Sequence, residues 1–200
     1  MVARRLWVLL LVLVVVGCGG PGAEPSASAS PAATPVSPSA TPGTARIVTT
    51  EEVADRHVDL TIDSPALGSE VKVRLLLPKG YRKEESKALP VLYLLHGCCD
   101  TYVSWTRSTD IAKLSADLNL LVVMPDGGKA GLYSDWQTGP AWERFHVTEL
   151  PELLAKEYAA GEPRAVAGVS MGGLGALGYA ARHPGCFGRR PHSAASCTPV

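Results

Sequence analysis

The 200-residue sequence has no excess of charge. Lys and Arg number 19, Asp and Glu 19, and the net charge is +0. A broad basic footprint is therefore missing, and no nucleic-acid partner is expected. Cysteine is scarce, with five in all and no C-x-x-C spacing. Cys98 and Cys99 are adjacent, which is not a metal-ligand pattern, so neither metal nor cofactor is expected. No apolar run is long enough to span a bilayer comfortably as a helix. The stretch from Met171 to Val200 contains no Asp and no Glu, and this restricts any chemistry that needs an acid late in the chain.

What is present begins with a targeting pattern. Arg4 and Arg5 precede an uninterrupted apolar run, Leu6 to Val16, of the length of a signal-peptide core. It ends in Val15-Val16-Gly17-Cys18, which resembles a bacterial lipobox with Cys18 as the acylated residue. Acyl chains would then anchor the protein, each buried CH₂ contributing about 0.8 kcal/mol. The alternatives are a soluble secreted protein cleaved nearby or an uncleaved anchor. Each of these places the remaining chain outside the cytoplasm. Gly19 to Thr44 is nearly all Gly, Pro, Ala, Ser and Thr, with Glu24 its only charge. Such a segment buries too little apolar surface to fold, and its prolines keep it extended as a tether. The expected organisation is 1–18 signal peptide with lipobox, 19–44 linker, 45–188 catalytic-type domain and 189–200 irregular tail.

Within the domain, strands alternate with helices. Arg56 to Ile62 and Val71 to Leu77 read as half-buried strands joined by a turn at Pro65 to Ser69. Leu89 to Leu95 and Leu120 to Met124 are continuously apolar, as parallel strands buried on both faces should be. Asp110 to Leu118 reads as a helix with Ile111, Leu114 and Leu118 on one face. Phe145 to Tyr158 reads as another, with Val147, Leu150, Leu153 and Leu154 turned inward. Arg164 to Gly168 reads as a buried strand, followed by a helix from Met171 to Arg182. The pattern predicts an α/β fold with a mostly parallel central sheet and flanking helices.

Gly168-Val169-Ser170-Met171-Gly172 fits G-x-S-x-G between that strand and that helix. In a strand-to-helix turn this tight, side chains flanking the Ser would collide with the backbone, and Gly avoids the collision. Ser170 would be exposed at the helix N-terminus, where the dipole and free N–H groups favour developing negative charge. The residues flanking this elbow extend the pattern. Leu92-Tyr93-Leu94-Leu95-His96-Gly97, Val122 to Gly128, Tyr133-Ser134-Asp135-Trp136, Trp142-Glu143, Glu149-Leu150-Pro151 and Gly168 to Gly173 occur in that order. Together they resemble the esterase D and mycolyltransferase (antigen 85 complex) branch of the α/β-hydrolases, from about Val71 to Phe187.

The resemblance implies an α/β-hydrolase fold, incomplete at its C-terminal end, and a serine esterase or acyltransferase acting on a small-molecule or lipid acyl ester. It implies Ser170 as catalytic nucleophile and the backbone N–H groups of Cys98 and Met171 as the oxyanion hole. Cys99 falls at a substrate-contacting position where the family often has Arg, so the resemblance does not carry trehalose or mycolate specificity. His96-Gly97 is closer to the general esterases than to the mycolyltransferases, which have Asp-Gly there. His96 is expected to orient the oxyanion loop.

In α/β-hydrolases the triad runs Ser, then acid, then His. After Ser170 come only His183 and His192. His183 reads as a cationic residue at a helix C-terminus, and His57 and His146 as surface or helix residues. Asp126 and Asp135 either approach the site from strand ends or merely form turns. Cys186 and Cys197 could pair in an oxidising compartment, ordinary burial or a free thiol being the simpler reading. The tail beyond Phe187 has no periodicity and reads as a frameshifted end. Little turnover is expected of a chain lacking the triad base, and the alternative to an enzyme is an inactive fragment or a surface protein that only binds.

Overall fold

A computed structural model describes residues 43–187 apart from 85 and 87. The expected signal peptide, lipobox Cys18, nearly all of the linker, His192, Cys197 and the 189–200 tail therefore lie outside the described residues. Six strands form one sheet in the order β1-β2-β3-β5-β4-β6. They are β1 (Arg46–Ala54), β2 (His57–Ser64), β3 (Ser69–Leu76), β4 (Leu89–Leu95), β5 (Leu121–Pro125) and β6 (Ala160–Gly168). β1, β2, β3 and β5 pair antiparallel in turn, whereas β4 runs parallel to both β5 and β6. The sheet is thus mixed, and its parallel half carries the elbow.

The helices lie on both faces. α4 (Leu150–Tyr158) and α5 (Met171–Arg182) cover one, and α1 (Ser104–Ser108) and α2 (Ile111–Leu114) the other; α3 (Trp142–Arg144) and a π-helical turn (Phe145–Glu149) lead into α4. Period-2 alternation explains the split along β4. Val91 and Tyr93 join Leu150, Leu153 and Leu154, while Leu92 and Leu94 turn toward Trp105 and Ile111. β5 is buried throughout, as its unbroken apolar run requires.

Several sequence expectations change. The helix expected over Asp110 to Leu118 is confined to Ile111–Leu114, and Leu114 and Leu118 are exposed. Arg56 accounts for the early stop. Its guanidinium donates to Ala112 O at 3.0 Å and Ser115 O at 3.4 Å, holding the carbonyls of the last turn. β2 is buried almost throughout rather than half-buried, because Asp59 is paired bidentately with Arg74 at 2.6 and 2.7 Å. β6 begins four residues before the expected Arg164, at Ala160, and is the edge of the described sheet, so its side chains alternate in exposure instead of being buried. β1 had no apolar alternation to reveal it: nearly all its residues are exposed. Cys186 is buried and disulfide-bonded, not a free thiol.

The π-helical turn overturns the surface reading of His146. A wider turn rotates the helix register, and Phe145, His146 and Val147 are all buried in succession. Glu149, at the end of that turn, fixes it to the β2–β3 hairpin. Its carboxylate accepts the Ser64 hydroxyl at 2.6 Å and the Ala66 N–H at 2.9 Å.

Candidate active site

β4 and β6 end side by side, Leu95 opposite Gly168. Val169 N–H donates to Leu95 O at 3.2 Å, and α5 starts two residues later. Ser170 sits between them at φ 52° and ψ −117°, a backbone region that residues with a Cβ rarely occupy. The turn closes through Gly172 N–H to Val169 O at 2.8 Å and Leu174 N–H to Ser170 O at 3.1 Å. Neither flanking glycine has room for a side chain. A Cβ on Gly168 would lie 2.2 Å from Gly172 O, and one on Gly172 would lie 2.2 Å from Leu95 O. Both glycines of G-x-S-x-G are required by close backbone approach, and Ser170 is left exposed.

The loop after β4 runs past this serine. A Cβ on Gly97 would be 3.5 Å from the Ser170 Cβ. Cys98 follows directly, and Cys99 donates its N–H to Lys129 O at 2.9 Å. That leaves the Cys98 N–H as this loop's candidate donor. Met171 opens α5, so its N–H has no acceptor inside the helix. The fold therefore brings together Ser170, Met171 and the Cys98–Cys99 loop.

Beneath them runs a buried polar chain. The Tyr179 hydroxyl donates to His146 Nδ1 at 2.9 Å, and His146 Nε2–H donates to Asp126 O at 2.9 Å. Gly127 N–H donates to His96 Nε2 at 2.9 Å, and His96 Nδ1–H donates to Gly97 O at 2.7 Å. The Tyr133 hydroxyl donates to His96 O at 3.0 Å. His96 thus clasps the loop after β5 to the loop after β4. Burial pushes the His146 pKa down to about 4, so it is neutral at ordinary pH. Burial also opposes charge on His96, but the Asp126 carboxylate 3.6 Å from Nε2 and the Gly97 carbonyl raise its pKa overall. A protonated Nε2 would turn toward Asp126 and give up the Gly127 N–H, so the bonds present define the neutral form. Sequence reading missed the Tyr133–His146–Tyr179 set. The signal was there in part: Phe145 and Val147 flank His146 with apolar side chains.

The remaining candidates have hydrogen-bond partners other than Ser170. Asp126 Oδ1 accepts Gly128 N–H at 2.8 Å and Asp135 Oδ1 accepts Arg144 N–H at 3.0 Å, so both act as loop hydrogen-bonders. His183 Nε2 lies 2.7 Å from Glu143 Oε1, which also accepts Arg182 Nε at 2.8 Å. This cluster is at the far end of α5, about 18 Å from Ser170 by helix rise. A cavity of about 460 Å³ opens there, lined by Asp135, Glu143 and Arg144 among others. His57 lies 2.6 Å from Asp55 O at the β1–β2 turn. All four described histidines have partners other than Ser170. Among the described residues no His, Cys, Asp and Glu cluster could hold a metal ion, and no helix is long and apolar enough to cross a membrane.

A serine on a strand–turn–helix elbow, above a parallel β5-β4-β6 core with helices on both faces, defines an α/β-hydrolase. The Esterase family model matches residues 64–200, and the chain belongs to that family. It is 41% identical over 150 residues to Esterase Rv1288 of Mycobacterium tuberculosis, a match covering 71% of this chain and 33% of that protein. It is 35% identical over 141 residues to the diacylglycerol acyltransferase/mycolyltransferase Ag85B of Mycolicibacterium smegmatis, covering 64% of this chain and 41% of that protein. The chain thus spans well under half the length of these curated relatives. Among solved structures, it matches an S-formylglutathione hydrolase from Agrobacterium tumefaciens with a TM-score of 0.61 at 24% identity, covering 70% of this chain and 58% of that one. It matches a ferulic acid esterase with a TM-score of 0.55 at 29% identity, covering 72% and 55%.

Proposed function

We propose that this protein is a serine-dependent acyl ester hydrolase or acyltransferase working through an acyl-Ser170 intermediate. The observation that carries this reading is the strained Ser170 backbone between two glycines that admit no side chain. In the proposed reaction Ser170 Oγ attacks the ester carbonyl, giving up its proton to a base. The oxyanion that forms is met by the N–H groups of Cys98 and Met171, each worth about 3–4 kcal/mol by removal in serine hydrolases. The alcohol leaves with a proton, and water or a sugar hydroxyl then takes the acyl group from Ser170. Cys99 lines the substrate side of the loop. The substrate is a small-molecule or lipid acyl ester, in keeping with relatives named as a ferulic acid esterase and a diacylglycerol acyltransferase/mycolyltransferase. The lipobox pattern supports tethering outside the cytoplasm through acylated Cys18.

A second reading, an inactive or binding-only surface protein, is favoured by one observation: each described histidine is bonded elsewhere. Hydrolysis of a short-chain aryl ester by the 200-residue chain and by Ser170→Ala separates the two. Under the first reading, turnover by the chain is expected to vanish in Ser170→Ala. Equal rates in both chains, or none in either, favour the second reading.

A further inference from the structure

Cys98 and Cys99 are both free and exposed, one peptide bond apart. They occupy the loop that begins at Gly97 against the Ser170 Cβ. The adjacent Cys99 thiol raises the Cys98 pKa above the usual thiol range. Cys99 already holds a left-handed backbone, φ 66°, and its N–H is fastened to Lys129 O. We propose that Cys98 and Cys99 form a reversible vicinal disulfide, a redox switch that displaces the loop beside Ser170.

The displacement follows from geometry. Cα atoms joined by a trans peptide stand about 3.8 Å apart. Disulfide-bonded residues usually need about 4.4–6.8 Å. Closing the ring therefore distorts the 98–99 peptide, and that peptide carries the N–H bonded to Lys129 O. Loss of this bond frees the loop, and Cys98 moves with it. Strain of this kind makes a disulfide easily reduced, which suits a switch more than a staple.

The oxidant is a low-molecular-weight disulfide, RSSR. One thiol gives up its proton, and its thiolate attacks a sulfur of RSSR; that S–S bond breaks and RS⁻ leaves to be protonated. The second thiolate attacks the protein-bound sulfur of the mixed disulfide and expels the second RS⁻. Two protein thiols are oxidised and RSSR is reduced to two RSH.

The effect on chemistry rests on the proposed role of the Cys98 N–H, whereas ring closure and loop displacement do not. The test takes the full chain, reduced or treated with glutathione disulfide, and alkylates remaining thiols. The tryptic peptide from Ala88 to Arg107 carries both cysteines. After oxidation it is expected two hydrogens lighter and unalkylated, with faster amide exchange at Cys99. Fluorophosphonate labelling at Ser170 is expected to fall about a hundredfold or more and to return with dithiothreitol. Recovery of this peptide with both thiols alkylated or in mixed disulfides overturns the proposal, as does a closed ring with unchanged exchange or unchanged labelling of a chain that labels when reduced. If the reduced chain does not label but the ring closes and exchange rises, the switch stands and the Ser170 reading falls.

Discussion

Gly172→Ala is expected to destabilise the protein by about 4 kcal/mol or more, a size seen only for severe core or backbone lesions. The added Cβ would lie 2.2 Å from Leu95 O, 2.5 Å from Leu95 C and 2.6 Å from His96 O. All three are backbone atoms at the end of β4, so no rotamer change relieves the clash. Either α5 lifts from the sheet or β4 shifts, and both disturb the contact of Gly97 with Ser170. Gly173→Ala is the internal control. Its Cβ would lie 3.4 Å from Gly168 O, at the edge of ordinary contact, and Ala is favoured over Gly within a helix by about 1 kcal/mol. Equilibrium unfolding in urea checks the pair: the Gly172→Ala midpoint should fall by about 2 M, from the usual denaturant slopes, while Gly173→Ala stays near the parent.

The second large effect is a loss of stability in mild acid. His146 is buried with both ring nitrogens bonded, Nδ1 accepting from Tyr179 and Nε2 donating to Asp126 O. In the unfolded chain a histidine takes its proton near pH 6.5. In the fold, burial delays that step to about pH 4. Between those values the unfolded state holds more protons, so lowering the pH favours unfolding, by about 3 kcal/mol across the interval. Below pH 4 both states are protonated and this loss levels off. His96 acts in the opposite direction, its raised pKa adding stability as the pH falls toward 6.5. The carboxylates held below their usual range, Asp100, Asp117, Asp126, Glu143 and Glu157, lose their contribution only near or below pH 4.5. Stability measured from pH 6 to 4.5 therefore reports chiefly on His146, and His146→Gln should flatten the slope there. An unchanged slope would place the acid response elsewhere.

The elbow and the central strands were legible in the sequence because their causes are local. β4 and β5 have to be apolar to sit inside a sheet, and Gly168 and Gly172 have to lack a Cβ to bracket Ser170. The misread elements depend on distant partners. α2 ends early because Arg56, more than fifty residues upstream, holds its carbonyls. His146 turns inward because of a π-helical turn whose last residue is anchored to the β2–β3 hairpin by Glu149. β1 is an exposed edge, so it carries no apolar period to read. In the site, the order of motifs pointed to Ser170, Cys98 and Met171, but not to the Tyr179–His146–Asp126 chain beneath them, since pairing across loops leaves no spacing in sequence.

The proposed chemistry turns on Ser170 as an acyl-accepting nucleophile. The direct measurement is reaction of the folded 200-residue chain with a fluorophosphonate, with the site of phosphonylation mapped by peptide mass spectrometry alongside Ser170→Ala. The expected result is a single adduct on the peptide containing Ser170, absent from Ser170→Ala. A well-folded chain with no adduct, or with an adduct that survives in Ser170→Ala, would contradict it.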